Sequence, residues 1–220
     1  LAACFMDSLA TQNYPATGYS IKYEFGLFKQ KIIDGWQTEL PDDWLKTSDV
    51  WLIPKTEERV IVKFDGKIRE EWTERGLKIH YDYPTEIDAI PYDMFISGFE
   101  SKGVSLLRLW ESRSLNSIDM NLFSQGDYIR ALSEDSMAEA ISKVLYPADN
   151  HNEGKILRLK QQYFLVSASA QDIVRKHLRM YRTIDNFSEK AAIHINDTHP
   201  ALVVPELMRI FMDDYNYSWE

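Results

Sequence analysis

Hydrophobic positions change their period several times along the chain, and each change marks an element. Leu1, Phe5 and Leu9, with Ala2, Met6 and Ala10, recur at helical spacing and predict a first helix. After the turn around Pro15 to Gly18, residues Tyr19 to Gly26 alternate as a half-buried strand does. Gly35-Trp36-Gln37 and Asp42-Asp43-Trp44-Leu45 put large aromatics beside an expected helix start, where Pro41 and the two Asp suit a first turn. Residues 58 to 110 read as a block of antiparallel strands: Arg59 to Phe64, Lys67 to Trp72, Leu77 to Tyr83 and Val104 to Trp110. Asp65-Gly66, between two alternating runs, is a hairpin signal.

From Ser124 the period becomes helical, through Tyr128, Ile129, Leu132, Met137, Ile141, Val144 and Leu145, until Pro147 ends it. The polar loop Tyr146 to Gly154 leads into a second long helix from Lys155 to Tyr181. Ala191 to Ile195 then reads as a buried strand that opens into Asn196, Asp197, Thr198 and His199, with Pro200 starting a helix carried by Leu202, Val203, Leu207, Ile210 and Phe211. In an open α/β sheet ligands bind at that strand edge, because the next helix presents unpaired N–H groups there. Capping by Asp197 or Thr198 would account for one polar residue, not four.

Bulk composition narrows the class. A chain of 220 residues, 45% hydrophobic and 27% charged, can bury a substantial core. A formal charge of −9 argues against nucleic-acid or anionic-membrane partners, which need clustered Lys and Arg. The single cysteine, Cys4, excludes an intrachain disulfide and is expected to be a buried thiol in a reducing, cytoplasmic compartment. No apolar run approaches the roughly 20 residues that span a bilayer, and no secretory leader is expected. The chain opens inside a helical pattern and stops on the aromatics of Tyr215 to Trp219, which reads as a piece of a longer protein.

Several residues could carry chemistry. His194, Asp197 and His199 lack the spacing of a zinc motif, so no metal is assigned. Asp197 and Glu206 could form a hydrolytic carboxylate pair, although two helical turns separate Glu206 from the strand tip. Arg175, Lys176, His177 and Arg179 form a basic group that suits a solvated helix end and could also hold a phosphate. The six tryptophans could stack on sugars, but none is assigned to binding.

Ordered motifs along the whole chain resemble the α-glucan phosphorylases, the glycogen, starch and maltodextrin enzymes. They include Leu1-Ala2-Ala3-Cys4-Phe5-Met6-Asp7-Ser8, Tyr23-Glu24-Phe25-Gly26, Gly35-Trp36-Gln37, Leu107-Arg108-Leu109-Trp110, Glu153-Gly154-Lys155, Leu157-Arg158-Leu159-Lys160-Gln161 and Asn196-Asp197-Thr198-His199-Pro200. The resemblance implies an α/β fold in which residues 1–220 form part of the amino-terminal Rossmann-like domain of a two-domain, GT-B-type glycosyltransferase, with a strand-rich insertion. It implies phosphorolysis of terminal α-1,4-linked glucose to glucose 1-phosphate, with pyridoxal phosphate as cofactor, α-1,4-glucan and inorganic phosphate as substrates, and a homodimer contacting through the helix from about Asp127 to Val144. The cofactor domain would lie outside these residues, so the 220 residues alone are expected to be inactive.

By the same likeness, Asp149 and Asn150 belong to a loop that touches bound glucose, and Asp197 and His199 line the glucosyl pocket. Such groups orient sugar hydroxyls rather than attack. Arg108, Arg175 and Lys176 match the region where regulated members bind activating phosphates. Arg175-Lys176 stands where the family commonly has Arg-Arg, which removes one bidentate fork. His151-Asn152 replaces the aromatic pair of the animal enzymes. Two other readings stay open: a non-catalytic remnant or interaction module with weak glucan or partner binding, and a stand-alone hydrolase using Asp197.

Overall fold

A computed structural model describes residues 2–47, 50–74, 76–82, 85–116 and 118–219. Leu1, Tyr83 and Glu220, which entered the sequence expectations, lie outside the described residues. The chain divides into two units: Leu1–Arg59 with Asp88–Gln161, and Val60–Ile87 with Gln162–Glu220.

In the first unit, helix α1 (Ala2–Thr11) buries Met6 and Ala10, as its spacing predicts. Cys4 faces solvent instead, because the buried stripe runs through Met6 and Ala10 and leaves position 4 on another face. Strand β1 (Thr17–Ile21) pairs parallel with β9 (Val104–Ser114), from Thr17 opposite Leu106 to Ile21 opposite Trp110. The next neighbour is β8 (Thr85–Ser97), a strand missing from the predicted block, and β4 (Ile53–Pro54) pairs antiparallel with it, so with the parallel β1–β9 pair the sheet is mixed. Ile21, Ala89, Leu109 and Trp110 are buried on this sheet, and Tyr19 stacks on Trp110 at 6.5 Å. The end of α1 seats on the loop between β8 and β9: Ser101 Oγ donates to the Ala10 carbonyl at 3.1 Å, and the Phe99 N–H donates to Thr11 Oγ1 at 3.0 Å.

Two local expectations change. The segment around Trp36 is a hairpin, β2 (Lys29–Ile33) against β3 (Trp36–Leu40), turned by Asp34 and Gly35 at φ of 51° and 84°. This Asp-Gly is itself the turn signal, and a 3₁₀ turn follows only at Trp44–Thr47. The helical run expected from Ser124 to Leu145 is broken: α2 (Met120–Ser124) ends where it should begin, and the short helices α3 (Tyr128–Ala131) and α4 (Ser133–Ala140) follow. Asp119 and Asp127 accept backbone N–H groups and start new helices, and Gly126 at φ 85° stands between the first two. Phe25 and Val144 form a parallel bridge beyond α4.

Helix α5 (Asn152–Tyr181) covers the predicted second helix and begins three residues earlier. In the second unit, β5 (Val60–Phe64) pairs with β8, whose opening residues 85–87 belong to this unit. β6 (Lys67–Thr73) pairs antiparallel with β7 (Gly76–Asp82), so the hairpin predicted across Asp65-Gly66 forms one strand later. The core gathers Ala170 and Val174 of α5 with Ile184, Phe187 and Ile210. Helix α6 (Phe187–Lys190) contributes Phe187, which meets Phe211 edge-on at 5.3 Å.

Candidate functional site

Asp149 and Asn150 sit in the loop before α5 and are both exposed. The first turn of α5 is closed by His151, whose Nδ1 accepts the Gly154 N–H at 3.0 Å while its carbonyl accepts the Lys155 N–H at 3.1 Å. Asp149 Oδ2 lies 3.3 Å from Arg158 Nη1, and the Arg158 guanidinium lies 5.5 Å from the centre of the Tyr146 ring. Nearby Tyr23 has its phenol pushed up to about 12, first by burial and then by Tyr146, with Arg158 opposing.

Asn196 to His199 are placed differently from the expectation. Ala191 to Asn196 forms no strand, and Ile193 and Ile195 are each 38% exposed. β-branched residues favour extended backbone, but a strand needs a neighbouring strand's N–H and C=O groups, and among the described residues no strand pairs with this segment. Asp197 takes the left-handed conformation at φ 74°, and its Oδ1 accepts the Thr198 N–H at 2.7 Å. Its Oδ2 lies 3.8 Å from His199 Nδ1, so the structure brings these two candidates together. Pro200 opens a 3₁₀ turn, His199–Leu202, which runs into α7 (Val203–Arg209), in line with the predicted helix start.

Glu206 on α7 is buried and fully engaged. Its Oε1 accepts Ser167 Oγ at 2.7 Å and Arg209 Nη2 at 3.0 Å, while Oε2 accepts Tyr163 Oη at 2.9 Å and Arg209 Nε at 3.1 Å. A carboxylate with four donors has no lone pair directed at a substrate, which removes it as the hydrolytic partner of Asp197. Burial and Glu206 together push the Tyr163 phenol up to about 12.

The basic candidates are ion-paired. Arg108 is 2% exposed, forks onto Asp93 at 2.7 and 2.8 Å, and reaches Glu58 at 2.7 Å. Arg175 and Lys176 both meet the buried carboxylate of Asp172, at 2.6 and 2.7 Å. A phosphate would compete with these carboxylates. His177 is buried rather than part of a solvated helix end, with Nε2 2.9 Å from Asn186 Oδ1 and its ring against Phe187.

A separate cleft of about 270 Å³ in the first unit is lined by Lys22, Glu24, Glu111, Arg113, Glu139 and Lys143. Its charges pair with one another, as Lys22 with Glu111 at 3.1 Å and Lys143 with Glu24 at 2.6 Å. Among the described residues no group of three or more His, Cys, Asp or Glu could hold a metal ion, and no helix is long and apolar enough to cross a membrane.

A family profile described as carbohydrate phosphorylase matches residues 1–220. The chain belongs to the carbohydrate phosphorylase family. It is 46% identical over its whole length to the glycogen phosphorylase of Pasteurella multocida, 47% to that of Bacillus subtilis and 46% to the liver form of Homo sapiens. The chain spans about a quarter of the length of these relatives, 26%, 27% and 26% respectively. Within this carbohydrate phosphorylase chain, the geometry sets beside the Asp149-Asn150 loop two residues that the sequence reading quoted in motifs but gave no site role, Gly154 and Arg158. Their signal was positional: both fall on the first turns of α5, directly after the Asp149-Asn150 loop.

Proposed function

We propose that the chain is part of an enzyme that phosphorolyses terminal α-1,4-linked glucose of an α-glucan to glucose 1-phosphate. The observation that carries this reading is the family match along all 220 residues, which includes the motifs around Asp149-Asn150 and Asp197-His199. In this reading the chain supplies part of the amino-terminal Rossmann-like domain of a GT-B-type protein that works in the cytoplasm. The exposed Asn150 amide and the Asp149 carboxylate contact the glucosyl hydroxyls, and the Asp197–His199 pair lines the glucosyl pocket. Positioned acceptors of this kind act by strengthening hydrogen bonds as charge develops on the sugar.

Pyridoxal phosphate, the family's cofactor, is held through a lysine amine, and Lys22 is not placed to supply one. Lys22, with its side chain 12% exposed, is committed to Glu111 at 3.1 Å and lies 4.0 Å from the centre of the Tyr92 ring. In this reading the cofactor domain lies outside the 220 residues, as the family resemblance implies. A homodimer contact through α3 and α4 is supported by the exposure of Ile129 and Met137, 87% and 70%.

The test is glucose 1-phosphate release from maltodextrin and phosphate, with added pyridoxal phosphate, by the full product of the reading frame that encodes the chain. Activity is expected there, with Asn150→Ala and Asp197→Asn each lowering kcat/KM by about a hundredfold. An inactive full product overturns the proposed reaction. An active one indifferent to both substitutions overturns the assigned contacts.

A further inference from the structure

The loop with Asp149 and Asn150 is held from below by one face of α5. Gly154, Arg158 and Gln161 stand four and three residues apart, which puts them on a single side of the helix. Each grips a different part of the segment that leads into the loop. Gln161, 5% exposed, donates through Nε2 to the carbonyls of Ile141 and Val144, both at 3.0 Å. Arg158 covers the Tyr146 ring and pairs with Asp149. Gly154 is buried, and a Cβ on it would overlap the Ala148 carbonyl oxygen.

The backbone needs this support. Tyr146 sits at φ 55°, a left-handed conformation that a bulky residue keeps only when its surroundings over-determine it. The contacts that do so are its ring under Arg158 and the neighbouring Leu145 N–H, which donates to the Phe25 carbonyl at 3.2 Å. Arg158 therefore fixes the loop at two points, the Tyr146 ring at its start and the Asp149 carboxylate beside Asn150. Gly154 lets the helix approach closely enough for both to be reached.

We infer that Gly154 and Arg158 are positioning residues that set the conformation of the Asp149-Asn150 loop, with Gln161 as their anchor in the core. The inference rests on the proposed role of Asn150 at the glucosyl group. Substitution at either residue leaves every assigned sugar contact in place chemically and moves it in space. Misplacement by about 1 Å is enough to cost up to a hundredfold in a positioned site.

The experiment uses the full product of the reading frame, with Gly154→Ala, Arg158→Gln, Arg158→Lys and Asn150→Ala. Two quantities are read: hydrogen exchange of the amides from residue 143 to 155, and the dissociation constant for D-glucose by calorimetry. Gly154→Ala and Arg158→Gln are expected to speed exchange at Gly154 and Lys155 and to weaken glucose binding about tenfold or more. Arg158→Lys keeps the charge beside Asp149 but loses the planar stack, and recovers part of the affinity. Joining Arg158→Gln to Asn150→Ala is expected to cost less than the sum of the two, because both act on one contact. Unchanged exchange and unchanged glucose affinity in Arg158→Gln overturn the inference, even where Gly154→Ala fails to fold. If exchange rises but Asn150→Ala itself leaves glucose binding intact, the hold of α5 on the loop stands and the glucosyl role of Asn150 falls.

Discussion

At Glu111 burial and charge pull in opposite directions. Burial raises its pKa, but Lys22 at 3.1 Å, the Tyr92 hydroxyl at 2.9 Å and Arg113 at 3.2 Å outweigh it and hold the carboxyl below its ordinary value. The folded pKa is thus depressed, so the stability it contributes is present above the unfolded value of 4.5 and is lost as pH falls through the folded one. Acid unfolding of the wild type followed by circular dichroism should therefore steepen below that value, and Glu111→Gln should flatten this limb. An identical acid limb in the variant would show that Glu111 contributes nothing to it. Sequence could name Lys22 and Glu111 as charged residues but not as partners, because the parallel pairing of β1 with β9 is what brings Lys22 beside Glu111, while Arg113 stands two residues along the same strand. Glu206 gives the same lesson: spacing made it a candidate catalyst, and four donors from α5 and α7 make it a fastening.

Elements were legible where the signal was local. The long periodic run produced α5, Pro200 opened its helix, and the apolar spacing of α1 placed Met6 and Ala10 inside. Close approach between elements was not legible, and glycines carry it. Gly103 lies so near the end of α1 that a Cβ would overlap the Ala10 carbonyl oxygen, whereas a Cβ on Gly35 meets nothing and is opposed only by its φ of 84°. Gly103→Ala is expected to destabilise by about 1–3 kcal/mol through overpacking, and Gly35→Ala by about 1 kcal/mol through backbone strain alone. Urea midpoints of the two variants measure the difference. Equal losses would mean that the β8–β9 loop gives way and that α1 does not depend on its close seat.

At the scale of the whole molecule, apolar surface is the outstanding quantity. The β2–β3 hairpin exposes Ile32 and Trp36 by 64% and 78%, and the β6–β7 hairpin exposes Ile68 and Trp72 by 65% and 76%. A two-stranded ribbon with a bare aromatic is a site of association. The 220-residue chain is accordingly expected to self-associate with rising concentration, less so as the double variant Trp36→Ser, Trp72→Ser. A concentration-independent monomer in sedimentation would refute this. Residue order alone determined the family, the principal helices and the polar clusters at residues 149–150 and 196–199, since motif identity, helical period and turn chemistry are local properties. Tertiary structure alone decided the parallel β1–β9 pairing, the exposure of Cys4 and the non-strand course of residues 191–196. It also decided the burial of Arg108 and Glu206 among counter-charges. Those outcomes depend on which distant backbone or side chain supplies the partner, and no local pattern encodes that choice.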